Sequence, residues 1–344
     1  MHSKPKKKRR GWLIALLSVL ILFLLLAGAA ALFVNSKLNL IDYSDGSIES
    51  PALPEELQEE EEFSLDLSGL EEREPSELPR GETASDDDVL NVLILGTDER
   101  TVEFSAARAD SIILLSVNLK DYTARLVSLE RGMGVPILEG EYAGEYDWLT
   151  HCFRYGGASL MLKEVQTCFN VDVSHYVRLN FTSVKTIVDL LGGIDVELSY
   201  REASYLNSGG FGLSEGMNHL NGEAALAYAR LRAIDSDWTR IKRQRTVIQA
   251  CMDNIKDADM KTLNSLCDAI LPCVQTNFTK LEILHLMTQL PNFLGVQFEQ
   301  MTIPVEGTYG GMTGLQGRGL FAVDFETNSQ ILRDFLYGES ESDS

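Results

Sequence analysis

Five arginines lie within sixteen residues of this chain, although its formal net charge is −21. They are Arg230, Arg232, Arg240, Arg243 and Arg245. A cationic cluster in so acidic a protein indicates a local anion. Arginine suits phosphate because its planar guanidinium makes two-point hydrogen bonds and keeps its charge. We therefore predict that a pyrophosphate binds at this cluster.

The spacing of the first two arginines predicts a shared face. If residues 229–233 are extended, Arg230 and Arg232 project from the same side of the chain, because side chains alternate along a strand. The alternative is that the arginines form solvated surface ion pairs, which contribute little to stability. The acids available for such pairs are Asp235, Asp237 and Glu223.

A helix is predicted over residues 240–256. Arg240, Arg243 and Gln244 fall three and four residues apart and share one face of it. Arg245 lies off that face. We place Arg240 and Gln244 in the anion site and leave Arg243 and Arg245 outside it.

A second group of polar residues lies at the ends of predicted strands. Asp98 follows one apolar run, Arg108 and Asp110 immediately precede another, and Arg131 follows a third. Two carboxylates with no histidine nearby suit Mg²⁺, which prefers oxygen ligands and keeps water or substrate phosphate in its shell. The alternative is that Asp98 and Asp110 only cap turns, as aspartate often does.

Hydrophobic periodicity predicts an α/β layered domain. Strands are predicted over residues 89–95, 111–117, 125–129 and 194–198, with a hairpin turn at residues 118–123. Helices are predicted over residues 158–169, 181–191, 223–226, 240–256, 260–271, 281–290 and 328–336. Strands mixed with helices along the chain imply layers of both kinds packed together.

The N-terminal quarter, residues 1–88, has a different organisation. Residues 1–12 form a basic tail, and residues 13–34 are apolar and long enough to span a hydrocarbon core of roughly 30 Å. The positive-inside rule places the tail in the cytoplasm and the rest of the chain outside, as a single-pass protein of the cell membrane. A cleaved signal peptide is the alternative. Residues 35–88, with their acidic runs, are expected to form a disordered stalk.

The folded domain is expected over residues 89–337, followed by a disordered acidic tail at residues 338–344. Residues 89–344 carry 33 acids and 21 bases, which argues against a nucleic-acid partner. The five cysteines lack the spacing of a zinc site. A disulfide between Cys251 and Cys267 and buried free thiols both remain open.

Seven motifs follow one another along the chain. They are LILGTDER, ARADSIILLSVN, RLVSLER, THCFRYGG, LGGIDVEL, LNGEAALAYARLR and DSDWTRIKRQR. In this order they resemble the LytR-CpsA-Psr family of Gram-positive cell-wall proteins, over residues 89–250 and with a looser match to residue 337. The resemblance implies a three-layer α/β/α domain, with a central mixed sheet flanked by helices, behind a membrane anchor.

The resemblance also implies an activity: transfer of an anionic glycopolymer, such as a teichoic acid or capsular polysaccharide, from an undecaprenyl pyrophosphate carrier to peptidoglycan. Asp98 and Asp110 match the Mg²⁺ ligands and, with Arg131, the catalytic residues. The pyrophosphate cage matches Arg108, Arg131, Arg230, Arg232, Arg240 and Gln244, with Lys163 added. The polyprenyl chain would lie in an apolar tunnel, for which Phe181, Val184, Ile187 and Leu190 are candidates, although they are equally ordinary core residues.

One position departs from the family pattern. Where members usually show Arg-Asp after the third strand, this chain has Arg131-Gly132. The missing carboxylate leaves the activation of the acceptor hydroxyl to Asp98 or Asp110. Two alternatives to the transferase therefore stay open: a non-catalytic membrane-anchored binder of polyprenyl pyrophosphate that acts as a regulator, and a lipid pyrophosphatase.

Overall fold

A seven-stranded mixed sheet forms the centre of the protein, with the strand order β1-β10-β7-β2-β3-β4-β11. The structure is a computed structural model and describes residues 31–48, 65, 67–97, 108–231, 234, 237–293 and 296–338. The strands of this part of the chain are β1 (Asp42–Tyr43), β2 (Val89–Thr97), β3 (Ala109–Asn118), β4 (Thr123–Leu129), β5 (Gly134–Pro136), β6 (Tyr146–Trp148), β7 (His175–Asn180), β8 (Ile194–Leu198), β9 (Gly216–Leu220), β10 (Val274–Thr276), β11 (Glu299–Ile303), β12 (Tyr309–Thr313) and β13 (Gly319–Val323).

Helices lie on both faces of this sheet. The helices of the described residues are α1 (residues 31–38), α2 (Leu149–Phe169), α3 (Phe181–Leu190), α4 (Tyr200–Ser208), α5 (Gly222–Ala229), α6 (Asp237–Lys256), α7 (Met260–Ile270), α8 (Lys280–Gln289) and α9 (Phe325–Tyr337). Leu93 and Leu95 of β2 point into the main core, which α2 and α9 cover. Leu90 and Val92 point to the opposite face, towards α6 and α8. The predicted mixed sheet flanked by helices is therefore confirmed.

The sheet brings several strand ends to one edge. The turn after β3 is held by Asn118, whose Oδ1 accepts hydrogen bonds from the backbone N–H groups of Lys120 and Asp121 at 2.9 Å, so that β3 and β4 pair antiparallel. Because β2 and β3 are also antiparallel, the ends of β2 and β4 lie beside the beginning of β3. β7 runs parallel to β2, and β11 runs parallel to β4, so these strands end at the same edge.

A kink in α2 makes room for the N-terminal segment. The backbone is non-helical at Gly156 and Gly157, and Gly157 has a φ of +69°. A Cβ at Gly157 would lie 2.2 Å from the carbonyl oxygen of Gly46. Only glycine permits both this conformation and this contact.

The described part of the expected stalk is not a solvated spacer. Leu38 is 4% exposed, and β1 pairs with β10 at the edge of the main sheet. Further along, Leu67, Leu70 and Leu78 pack against the main core. The prediction of disorder over residues 35–88 is wrong for these described residues, because leucines spaced among the acids bury enough apolar surface to order the segment.

The predicted membrane span falls mostly outside the described residues. Residues 31–34 belong to α1, and residues 13–30 are not described. Within the described ranges, every helix is too short or too polar to traverse a bilayer. Of the predicted acidic tail, only Gly338 is described, and it caps α9.

Candidate functional site

A β-bulge positions Asp110 at the edge where the strands end. Gly96 pairs with Ser111 and Thr97 pairs with Ala109, so Asp110 is the extra residue of β3. Bulges redirect a side chain and occur often beside active sites. The other predicted carboxylate, Asp98, lies outside the described residues and follows directly on Thr97.

A buried ion pair joins two of the predicted site residues. Arg131 Nη1 donates to Asp110 Oδ1, and the two side chains are 2% and 7% exposed. Removing two charges from water costs free energy that their mutual attraction only partly returns. The pair therefore brings two buried opposite charges together at the sheet edge where β4 ends.

The first turns of α6 supply a second cationic group. Arg240 is 2% exposed and Gln244 is 6% exposed, one helical turn apart. Arg243 turns elsewhere: its Nε donates to Glu202 Oε1 at 2.7 Å and its Nη1 donates to the carbonyl of Leu231 at 2.9 Å. These buried positions exclude the solvated surface ion pair for Arg240 and Arg243.

Arg245 also has a structural partner. Its Nη1 donates to the carbonyl of Met301 at 2.8 Å and to Thr302 Oγ1 at 3.1 Å. This contact fixes α6 to β11. The buried environment of Arg245 lowers its pKa, because desolvation disfavours the charged form.

The predicted extended conformation at Arg230 is wrong. Asn221 caps α5, its side chain accepts from the backbone N–H of Ala224, and the helix runs through Ala229. Arg230 then caps the C-terminus with φ −95° and ψ −2° and is exposed. The high helix propensity of the alanine-rich segment outweighs the alternation of Arg230 and Arg232 from which the extended conformation was predicted. Arg232 lies outside the described residues.

Gly132 occupies a closed environment. A Cβ at this position would lie 2.7 Å from Leu65 Cδ1 and 2.9 Å from Leu65 Cδ2. The space that an acidic side chain would need is therefore filled from the N-terminal segment. Glu130, two residues before Gly132, is fully buried. The backbone N–H of Glu130 donates to the carbonyl of Ile303 at 2.8 Å.

An apolar cavity of about 330 Å³ lies between the sheet and α6 and α8. It is bordered by the first half of β2 and the second half of β3, at the end of the sheet opposite Asp110 and Arg131. Its lining includes Val92, Leu115, Val177, Met252, Leu286 and Phe293. Gln249, Lys256 and Gln289 are the polar members among the described lining residues and the others are apolar, so the cavity suits a hydrocarbon chain.

Three of the four residues proposed for a tunnel, Val184, Ile187 and Leu190, are not among the described residues that line this cavity. Val184 packs against a second, smaller core formed by α3, α5 and the β8–β9 hairpin. The side chain of Phe181 lies outside the described atoms. For Val184, the ordinary core interpretation is the correct one.

Comparison with known proteins identifies the family. The model of the LytR_cpsA_psr family matches residues 55–331 of this chain. The chain belongs to the LytR-CpsA-Psr family. The predicted resemblance is confirmed, and the family match begins within the segment that was expected to be a stalk.

Relatives of this LytR-CpsA-Psr protein have named activities and ligands. The chain is 32% identical over 225 residues to a Bacillus cereus protein named polyisoprenyl-teichoic acid–peptidoglycan teichoic acid transferase TagU, and the match covers 63% of this chain and 69% of that protein. The predicted enzyme class, a transferase of this family, is confirmed by this relative.

Two solved structures show the fold with ligands bound. TagT bound to LIIa-WTA is 28% identical to this chain, with a TM-score of 0.58, and the match covers 73% of this chain and 90% of the TagT chain. TagT with bound octaprenyl pyrophosphate lipid is 26% identical to this chain, with a TM-score of 0.55, and the match covers 76% of this chain and 97% of the TagT chain. The three-layer fold of this LytR-CpsA-Psr protein is thus shared with lipid-binding proteins.

Arg108 and Lys163, two further residues predicted for the pyrophosphate cage of this LytR-CpsA-Psr protein, lie in different surroundings from each other. Arg108 lies one residue before β3 and is partly buried. Lys163 is half-exposed on α2, and among the described residues its hydrogen-bond partner is Glu139, at 2.6 Å. The contacts of Lys163 therefore place it with the loop after β5.

Sequence reasoning missed Arg178. This residue of β7 is 2% exposed, stacks on the Phe153 ring at 4.7 Å and donates through Nε to Thr97 Oγ1 at 3.4 Å. Burial lowers its pKa to about 10. The sequence signal for Arg178 is its place in an alternating strand. It lies on the same face as Tyr176 and Asn180, and this is the buried face of β7.

The fit to a divalent cation rests on Asp110 and its surroundings. Among the described residues, no three acidic, histidine or cysteine side chains converge as a metal site. Asp110 supplies one carboxylate, and Thr97, the last described residue before Asp98, pairs with the neighbouring Ala109. Oxygen donors of this kind suit Mg²⁺ with water and phosphate completing its shell.

Proposed function

We propose that this protein is a Mg²⁺-dependent phosphotransferase that moves an anionic glycopolymer from an undecaprenyl pyrophosphate carrier to peptidoglycan. One observation carries the proposal: α6 has buried Arg240 and Gln244 near its beginning and borders an apolar cavity near its end. A carrier with a charged head and a long apolar chain matches this arrangement.

The dimensions along α6 support a lipid pyrophosphate. Gln244 and Met252 are eight residues apart, which is about 12 Å along a helix. Arg240 and Gln244 would contact the pyrophosphate, and Met252 and Ile255 would contact the first isoprene units. The apolar lining excludes water from the chain, and the buried arginines neutralise the head.

The chemistry follows from the residue types. The acceptor hydroxyl attacks the phosphorus that carries the polymer, the bond to the bridging oxygen breaks, and polyprenyl phosphate leaves. Mg²⁺, held by Asp98 and Asp110, would neutralise the charge on the phosphates. Arg131 and Arg240 stabilise the transition state through fixed hydrogen bonds, as phosphoryl transfer requires. Because Gly132 has no side chain, we assign the hydroxyl proton to Asp98 or Asp110.

The same proposal includes the location of the protein. We place residues 1–12 in the cytoplasm, residues 13–34 across the cell membrane and the domain outside the cell. The basic tail, the apolar run and the helical conformation of residues 31–38 support this arrangement. The substrate carrier is itself a membrane lipid, so the anchor keeps enzyme and carrier together.

A non-catalytic regulator is the second candidate. The contact between Leu65 and Gly132 favours it, because the position of the usual acid is closed and apolar. Such a protein would bind polyprenyl pyrophosphate through the same arginines without transferring the polymer. Binding alone therefore does not separate the two functions.

A transfer assay with the full chain separates them. The protein is reconstituted in detergent micelles with Mg²⁺, radiolabelled lipid-linked teichoic acid and peptidoglycan fragments. We expect labelled peptidoglycan from the wild type, none after removal of Mg²⁺ by a chelator, and recovery on adding Mg²⁺ back. Carrier binding without transfer would establish the regulator instead, and release of polymer without an acceptor would indicate a pyrophosphatase.

Arg230→Ala tests the anion site in the same assay. Arg230 is exposed at the end of α5, so its truncation removes no buried side chain, and Arg80→Ala is the matched control because the Arg80 side chain is 84% exposed elsewhere. We expect Arg230→Ala to weaken polyprenyl pyrophosphate binding and Arg80→Ala to leave it unchanged. Equal binding by the two variants would remove Arg230 from the site.

A further inference from the structure

The helix α8 has an unusual surface. None of its residues is buried, and three of its apolar side chains are exposed to solvent. Leu281 is 78% exposed, Leu284 is 38% exposed and Met287 is 47% exposed. Its inner side borders the apolar cavity through Leu286 and Gln289. These exposed apolar side chains stand on the outer side of α8 among the polar Lys280, Glu282, His285 and Thr288, and a cluster of this kind on a surface helix is typical of a contact with a second apolar environment.

The end of α1 is fixed beside α8. Leu38 is 4% exposed and Ile41 is 9% exposed, so the chain is embedded in the domain at these residues. Lys280 Nζ, at the beginning of α8, donates to Asn39 Oδ1 and lies 5.6 Å from the centre of the Tyr43 ring. The path of the chain leaving α1 is therefore set relative to α8.

The length of α1 sets the distance between the domain and the apolar run. That run, residues 13–34, ends four residues before Leu38, which corresponds to about 6 Å of helix. On α1 itself, Leu32 is 73% exposed and Phe33 is 54% exposed. With residues 13–34 across the bilayer, as proposed above, so short a connection holds the domain against the bilayer surface.

We propose that the outer face of α8, with Leu32 and Phe33, lies in the interface of the lipid bilayer. The inference rests on the proposed membrane span and lipid carrier. It adds an orientation: the cavity behind α8 lies next to the membrane, and the arginine site lies at the far end of α6. The carrier's hydrocarbon chain then passes from bilayer to cavity without crossing water.

Photocrosslinking in the full chain tests the surface. Benzoylphenylalanine replaces Leu281 or Leu284 in protein reconstituted into phosphatidylglycerol vesicles, and lipid adducts are measured by mass spectrometry. The control positions are Tyr200 and Tyr205 of α4, which are 69% and 43% exposed. They lie at the other end of α6, because Glu202 of α4 binds Arg243.

We expect lipid adducts at Leu281 and Leu284 in several-fold higher yield than at the two tyrosines. Equal yields at all four positions would overturn the proposal. Adducts between two protein chains at Leu281 would also overturn it and would identify a second copy as the occupant of this face. None of these outcomes depends on polymer transfer, so a failed transfer assay leaves the result interpretable.

A charge variant links the surface to substrate uptake. In Leu281→Asp/Leu284→Asp, we expect slower transfer from a long-chain carrier embedded in vesicles and unchanged transfer from a water-soluble short-chain carrier. Neither residue borders the cavity. Loss of both activities would show that α8 has a structural role in the domain, and retention of both would show that the membrane contact is not used.

Discussion

Leu65 packs its two methyl groups against Gly132, one residue after the buried Arg131. A Cβ added to Gly132 would come within 2.7 Å of one methyl carbon and 2.9 Å of the other. Such distances are shorter than any relaxed carbon contact. The N-terminal segment and the missing side chain are therefore complementary, and the usual acid at position 132 is incompatible with Leu65 as it stands.

Gly132→Asp is expected to destabilise the protein, because it forces Leu65 out of its position. Overpacking of this kind costs about 1–3 kcal/mol. In Leu65→Ala/Gly132→Asp, most of that loss should return relative to Leu65→Ala alone, since the smaller side chain leaves room for the carboxylate. Urea unfolding of the four proteins in the cycle measures the coupling, and additive effects would show that the two residues do not compete for space.

Arg240 and Arg245 provide a matched pair of buried arginines with different expected roles. Arg240→Lys should weaken polyprenyl pyrophosphate binding about tenfold or more, because lysine loses the two-point contact with phosphate. Arg245→Lys should leave affinity unchanged, since Arg245 bonds the carbonyl of Met301. Titration calorimetry on the full chain in detergent compares them. A similar loss in both variants would argue against a specific contact from Arg240.

Val177 lies in the wall of the apolar cavity. Val177→Phe narrows the cavity, so we expect about tenfold weaker binding of octaprenyl pyrophosphate and little change for a short-chain pyrophosphate. Val184→Phe is the control, because Val184 packs in the second core. If chain length made no difference to the effect of Val177→Phe, the hydrocarbon would not occupy this cavity.

Glu164 is a fully buried acid whose pKa rises to about 8, chiefly because burial disfavours the carboxylate. In the unfolded chain the pKa of Glu164 is about 4.5. Between pH 4.5 and pH 8, the folded state therefore keeps a proton on Glu164 that the unfolded chain has released. Stability should therefore fall as pH rises from 5 towards 8, by up to about 4 kcal/mol. Above pH 8 the contribution levels off.

Glu164→Gln removes this titration and keeps an oxygen to accept the Leu138 backbone N–H, which bonds Glu164 Oε1 at 2.8 Å. Urea unfolding at pH 5 and pH 8.5 should show the wild type losing stability relative to the variant. A constant difference between the two proteins across this range would mean that Glu164 does not keep its proton in the folded state.

Local patterns were sufficient for three strands around the site but not for β7, β11 or α4. The apolar run before Thr97 predicts a strand and the Asn118 turn predicts a hairpin, and the structure confirms both. Strand alternation and chain direction then bring Asp110 and Arg131 to one edge. These features depend on neighbours within a few residues, which a sequence displays directly.

The fold class, the family and the strands that carry Asp110 and Arg131 follow from the order of residues along the chain. The protein partners of Arg243 and Arg245, the contact of Leu65 with Gly132, and the apolar cavity between the sheet and α6 and α8 are seen only in the folded protein. Each of these depends on contacts between residues far apart in the chain. Local periodicity places a residue on a face of its own element, whereas packing between elements determines what that face meets.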